Sequence, residues 1–151
     1  MLNEERREEL EAICKRFGVI IAYAFGSRAR EVWEWVMGQR SHLAPSPSDV
    51  DIGVKLRPGH TLSVLEKVEL AQALEDLFDV PRVDLVLLEE AGPFLAANIV
   101  RGDRLYADDS HLADEYELYV LRRAGDLEPL ERERIALILG MEEDEVGSGP
   151  C

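Results

Sequence analysis

The chain has 151 residues, a length that suits one domain with a single buried core. Seventeen lysines and arginines against thirty-one aspartates and glutamates leave a net charge of −14, which repels nucleic-acid phosphates and disfavours a nucleic-acid polymer as partner. The apolar runs fall far short of the roughly 18 residues a bilayer span needs, the acidic N-terminus lacks a signal-peptide pattern, and Cys14 and Cys151 form neither a disulfide framework nor a zinc spacing, so a cytoplasmic protein with no membrane segment is expected.

Residues 2 to 17 carry Leu10, Ile13, Cys14 and Phe17 at helical spacing and stop at Gly18, which predicts an amphipathic helix with Cys14 in the core. An apolar strand follows over 19 to 25, then a helix from Ser27 to about Met37, a loop over 39 to 48 bounded by Pro45 and Pro47, and a second strand over 49 to 56 that the Pro58-Gly59 turn closes. A long helix is expected over about 62 to 78, a strand over 82 to 88, a helix opened by Pro93 and running to about Val100, and a short strand at 104 to 107. The remainder reads as two helices, 110 to 124 and 128 to 140, separated near Gly125, and an acidic, frayed tail over 142 to 151. The class is α/β (α+β), a small mixed β-sheet flanked by helices.

The chemistry concentrates at the strand ends. Asp49 and Asp51 lie two apart on the second strand, so their carboxylates share one face, roughly 6.6 Å apart along the chain, while Val50 and Ile52 face the core. Asp84 interrupts the apolar strand Arg82 to Leu88, where an unpaired charge is costly to bury. Three acids on two strands suit a hard divalent cation such as Mg²⁺ together with substrate phosphates. Gly26 ends the first strand without a Cβ, letting a phosphate approach the backbone, and Ser27 reads both as N-cap and as a hydroxyl donor to phosphate. Arg28 and Arg30 begin the following helix, where a cation is unfavourable against the helix dipole unless an anion is close by; Arg30 is the better phosphate candidate, and Arg28 reads equally well as an exposed helix residue.

The runs Phe25-Gly26-Ser27-Arg28-Ala29-Arg30, Ser48-Asp49-Val50-Asp51 and Val83-Asp84-Leu85 resemble the minimal nucleotidyltransferases (MNT domains) of the DNA polymerase beta superfamily. The stretches Ala91 to Leu95 and Arg101 to Tyr106 extend the likeness to nearly the whole chain. The resemblance implies a polymerase-beta-like nucleotidyltransferase fold over 1 to 141. It implies a nucleotide held by Gly26, Ser27 and Arg30, and two Mg²⁺ ions bound by Asp49, Asp51 and Asp84, the last also helping to deprotonate the acceptor. It implies further that AMP passes from ATP to a protein hydroxyl, a tyrosine of a HEPN-domain toxin, with the chain as antitoxin. Two departures stand out: residues 28 to 48 make an interval of twenty-one between Ser27 and Asp49, longer than the family keeps, and Glu31 replaces a family glycine. An insertion at about 31 to 44 follows, placed to shape the acceptor side of the pocket. Two other readings stand beside this one: a binder that neutralises a HEPN ribonuclease without catalysis, and nucleotidyl transfer to a small cationic molecule such as an aminoglycoside.

His42, His60 and His111 have no metal-ligand spacing and read as surface residues, and Trp33 and Trp35 cannot share one helix face, so one of them is expected outside the core. Arg122 and Arg123 suit a helix C-terminus, and Tyr106, Tyr116 and Tyr119 read as packing residues.

Overall fold

The structure, a computed structural model, describes residues 3–140. In chain order it contains α1 (Asn3–Phe17), β1 (Val19–Phe25), α2 (Ala29–Val36), β2 (Val50–Leu56), α3 (Val64–Phe78), β3 (Val83–Leu87), α4 (Pro93–Val100), β4 (Asp103–Ala107) and α5 (Ser110–Ile138). The four strands form one sheet in the order β3-β2-β1-β4. β1 runs antiparallel to both β2 and β4, whereas β2 and β3 are parallel, as the intervening helix α3 requires of a crossover.

Alternation along the strands splits the core in two. Ala22, Ala24, Ile52 and Val54 face α1, α2 and α3 and pack against Leu10, Cys14, Phe17, Val32, Leu70 and Phe78. Ile21, Tyr23 and Phe25 face the opposite way, onto Ala97 and Ile99 of α4 and Ala113, Val120 and Ala124 of α5. Ile99 packs so closely on Gly53 of β2 that a Cβ there would lie closer than 3.0 Å to it. This second face also carries Asp51 and Asp84, because each sits an even number of residues from an inward neighbour on its own strand, Gly53 and Val86.

Local chemistry sets the helix ends. Ser63 and Glu66 form a reciprocal capping box at the start of α3, the serine side chain accepting from the Glu66 N–H and the Glu66 carboxylate accepting from the Ser63 N–H. Gly18 (φ +72°) ends α1, and the half-buried His60 ring, packed against that glycine, contacts the Phe17 carbonyl at 3.1 Å through Nε2. The surface role expected of His60 is therefore corrected: it closes the C-terminus of α1. Tyr23, fully buried, donates to Glu117 of α5 at 2.6 Å, and Arg104 of β4 donates to the same carboxylate at 2.8 Å through Nη2, which fastens α5 to the sheet. Burial, and then the hydrogen bond to Glu117, push the Tyr23 phenol well above its ordinary pKa.

The expected break near Gly125 is absent, because α5 is continuous through Gly125 and Pro129. A mid-helix glycine costs only about 1 kcal/mol relative to alanine, and Pro129, which has no N–H to donate to the Gly125 carbonyl, removes one bond of the ladder without ending the helix. The tail expected over 142 to 151 lies outside the described residues.

A candidate nucleotide site at the ends of three strands

Register builds the site. Phe25, the last residue of β1, pairs with Asp51 of β2, and Asp51 pairs in turn with Asp84 of β3, so one row across three strands ends in two neighbouring carboxylates. Gly26 follows Phe25 at φ +75°, a left-handed conformation that favours glycine, and its Cα lies against Asp51: a Cβ there would stand closer than 3.0 Å to the Asp51 Oδ2. Backbone turn and carboxylate thus touch. The Asp51 carboxyl is held above the ordinary aspartate pKa, chiefly by burial, then by the charge of Asp84 and a hydrogen bond to it, and last by the charge of Asp49.

Asp84 lies exposed at the site, so the burial penalty expected of it is not incurred. Asp49 precedes β2, half-exposed, with its Oδ2 3.5 Å from the Arg82 Nε. Asp84 pairs with neither Arg82 nor Arg104: Arg82 faces Asp49, and Arg104 faces Asp114 and Glu117. Among the described residues no three acids stand together in a metal-holding group, since Asp49 is turned to its arginine. The donor set nevertheless fits a hard divalent cation. Its ligands are all carboxylate oxygens, and Asp51 and Asp84 already stand near enough to hydrogen-bond, a strain of like charge that a cation relieves.

Beside Gly26, a cleft of about 420 Å³ is lined by Gly26, Ser27, Ala29, Arg30, Asn98, Arg101, Gly102 and Asp103 and by none of the three aspartates. Ser27 is exposed there. It does not cap α2, whose N-cap position is Arg28 with no side-chain cap bond, so the capping role expected of Ser27 is corrected; the helix starts two residues later, leaving the hydroxyl clear of the backbone. Arg30 reaches over the Trp33 ring and pairs with Asp103 at 3.0 Å, and both line the cleft with Gly26 and Ser27.

Arg28 differs from the expectation of an exposed residue, being only 7% exposed. Its guanidinium donates to Glu31 (2.7 Å) and to the carbonyls of Ser48 (3.1 Å) and Ala44 (2.7 Å), and Glu31 accepts in turn from the Ala44 N–H at 2.7 Å. Glu31 and the long loop after α2 are thus parts of one assembly. A second buried arginine, Arg6 of α1, holds the same loop by donating to the carbonyls of Trp35 (2.8 Å), Arg40 (2.7 Å) and Ser41 (3.1 Å) while stacking on the Trp35 ring. Trp35 is buried edge-on to Phe78, and Trp33 is the half-buried member of the pair. No pattern in the sequence marks Arg6, which sits among solvent-facing charges on α1; a buried arginine is signalled only by the carbonyls it meets.

No curated protein matches the sequence. Solved structures do, over most of its length. A chain of a toxin–antitoxin with AMP-PNP matches at 20% identity with a TM-score of 0.63, covering 88% of this chain and 98% of its own. A chain of a tri-AMPylated HEPN toxin of Shewanella oneidensis in complex with MNT antitoxin matches at 20% identity and a TM-score of 0.63, over 91% and 99%. A chain of the toxin–antitoxin MntA–HepT matches at 19% and 0.62, over 90% and 98%. At these identities the likeness shows the fold, which is polymerase-beta-like. The family model described as polymerase beta, nucleotidyltransferase matches residues 8–111, which include the Gly26–Ser27 turn and all three aspartates, and the chain belongs to that family.

Proposed function

We propose that this chain is a cytoplasmic, Mg²⁺-dependent adenylyltransferase that moves AMP from ATP to a hydroxyl of a HEPN-domain toxin, a tyrosine by family resemblance, and thereby acts as its antitoxin. The observation that carries the reading is the register row Phe25–Asp51–Asp84 abutting the Gly26–Ser27 turn, so that neighbouring carboxylates and a glycine-serine turn meet at one point. Family membership supplies the reaction class, and the AMP-PNP complex and the AMPylated HEPN toxin among proteins of the same fold support the nucleotide and the acceptor.

In this reading Gly26 and Ser27 hold the triphosphate, the glycine by allowing close backbone approach and the serine by its hydroxyl. Arg30 adds a cation at the same end. Asp49, Asp51 and Asp84 would hold the divalent cation beside the reacting phosphorus, and Asp84, exposed at the strand end, takes the proton from the acceptor hydroxyl as its oxygen attacks the α-phosphorus in line. The bond from that phosphorus to the bridging oxygen breaks, and diphosphate leaves with the electron pair. Mg²⁺, when bound by the three aspartates, neutralises charge on the attacking and leaving oxygens. Removing Asp49 from Arg82 is part of assembling the site.

The test is mass spectrometry of the HEPN-domain partner after incubation with this chain, ATP and Mg²⁺. The expected result is the mass of one or more adenylyl groups on a partner tyrosine, absent with Asp49→Asn, which also loses neutralisation. Full neutralisation by Asp49→Asn with no added mass for either protein would replace catalysis with neutralisation by binding.

A further inference from the structure

The cleft beside the phosphate turn has a far wall that the reading above leaves without a role. α4 is amphipathic: Ala97, Ile99 and Val100 are buried against the sheet and α5, while Asn98 and Arg101 are exposed and line the cleft with Gly26, Ser27, Arg30 and Asp103. Gly102 fixes this wall in place. Its backbone passes so close to the end of β1 that a Cβ would stand closer than 3.0 Å to the Ala24 carbonyl oxygen, and no larger residue lets Arg101 approach the turn in this way.

The charges are unusual for so acidic a chain. Two guanidiniums share the cleft with one carboxylate, Asp103, and that carboxylate is paired with Arg30. Arg101 makes no ion pair among the described residues. The acids nearest to it along the adjoining groove, Glu128 and Glu131, are engaged with Arg132 and Arg134 instead. An exposed, unpaired arginine beside a second arginine and an exposed serine hydroxyl is arranged for an anion of more than one charge.

Geometry says which anion. The Asp51 carboxylate lies against Gly26, and the same glycine with Ser27 lines the cleft, whose lining includes none of the three aspartates. An α-phosphate poised at the carboxylates therefore directs the rest of its phosphate chain past Ser27 and into the cleft. Resting on the adenylyltransferase reading, we propose that Arg101 and Asn98 complete with Arg30 and Ser27 the subsite for the β- and γ-phosphates of the nucleotide. There they bind the diphosphate that departs when the acceptor oxygen displaces it from the α-phosphorus. Arg101 supplies charge and donors to the leaving oxygens, Asn98 an amide donor, and Asp103 holds Arg30 at the rim.

Calorimetry with the full chain in Mg²⁺ tests this with three probes: AMP-PNP, inorganic pyrophosphate and AMP. Arg101→Ala is expected to weaken AMP-PNP and pyrophosphate by about tenfold or more, the scale of one charge-assisted bond, and to leave AMP unchanged. Arg101→Lys should recover part of the loss, Asn98→Ala should show a smaller loss of the same pattern, and the thermal midpoint should not move, since neither side chain is buried. If the unaltered chain binds AMP-PNP and Arg101→Ala binds it and pyrophosphate equally well, the subsite is overturned and the adenylyltransferase reading stands. Equal weakening of AMP and AMP-PNP also overturns it, by placing Arg101 at the nucleoside end. If the unaltered chain binds neither AMP-PNP nor pyrophosphate, the nucleotide reading fails and the subsite with it.

Discussion

At the scale of single residues, Asp51 and Gly26 are shaped by each other. The carboxylate is part-buried beside Asp84, which raises its proton affinity, so ionising it costs the folded protein more than it costs the unfolded chain. Asp51→Asn is therefore expected to abolish adenylyl transfer without weakening the metal-free fold. Thermal denaturation in EDTA at neutral pH should give a midpoint equal to or above that of the unaltered chain, and a clear fall would show that Asp51 has a structural role instead. Gly26→Ala should do the opposite. Alanine at φ +75° is strained by about 1–2 kcal/mol, and its Cβ meets the Asp51 carboxylate, so both stability and nucleotide binding should drop. The glycine and the acids were legible in the sequence because a strand's period of two leaves few ways to place Asp49, Asp51 and Asp84. The side chains that hold them in check were not: Arg82 lies thirty-three positions after Asp49, and only the parallel pairing of β2 with β3 brings the two together.

At the scale of elements, the loop between α2 and β2 is a folded appendage of α1 and α2. Sequence reading located it by its length and its prolines and expected it to shape the pocket. It did not find the fastening, because arginines on helix faces read as solvent-exposed and a loop's carbonyls leave no mark in side-chain pattern. Arg6→Ala strips partners from three carbonyls and a stacked indole, and is expected to cost about 2–3 kcal/mol, read as a lower midpoint in chemical denaturation. Glu31 fastens the other end. Its carboxyl is held below the usual range, first by the Arg28 hydrogen bond and further by the Ala44 N–H and the charges of Arg28 and Arg40, against the opposing pull of partial burial. A lowered carboxylate contributes stability above its unfolded pKa and loses it as pH falls through the folded value. Glu31→Gln should thus destabilise the protein at neutral pH and make little difference in acid below the carboxylate range. A destabilisation of equal size at both pH values would show that shape, not charge, is what the loop needs.

At the scale of the whole molecule, three layers meet at the sheet, and α5 is the element that both completes the third layer and leaves it. Strands, crossover and the first four helices follow the period of their apolar residues, so the sequence showed them; α5 was read as two helices because Gly125 and Pro129 look like punctuation. Packing explains both the misreading and the behaviour to expect. The first half of the helix buries Ala113, Val120 and Ala124 and lends Glu117 to Tyr23 and Arg104. None of residues 126 to 138 is buried, and the ion pairs there, Glu128 with Arg132 and Glu131 with Arg134, are solvent-exposed and contribute little to stability. An isolated helical stretch of that length is marginal in water. A chain ending at Gly125 should therefore keep the fold, with an unfolding free energy within about 1 kcal/mol of the full chain, whereas one ending at Leu112 leaves Tyr23 and Arg104 without Glu117 and uncovers the sheet face, and should not fold. Circular dichroism and denaturant titration of the two truncations decide it. If the chain ending at Gly125 unfolds, the distal half of α5 carries stability that its burial does not reveal.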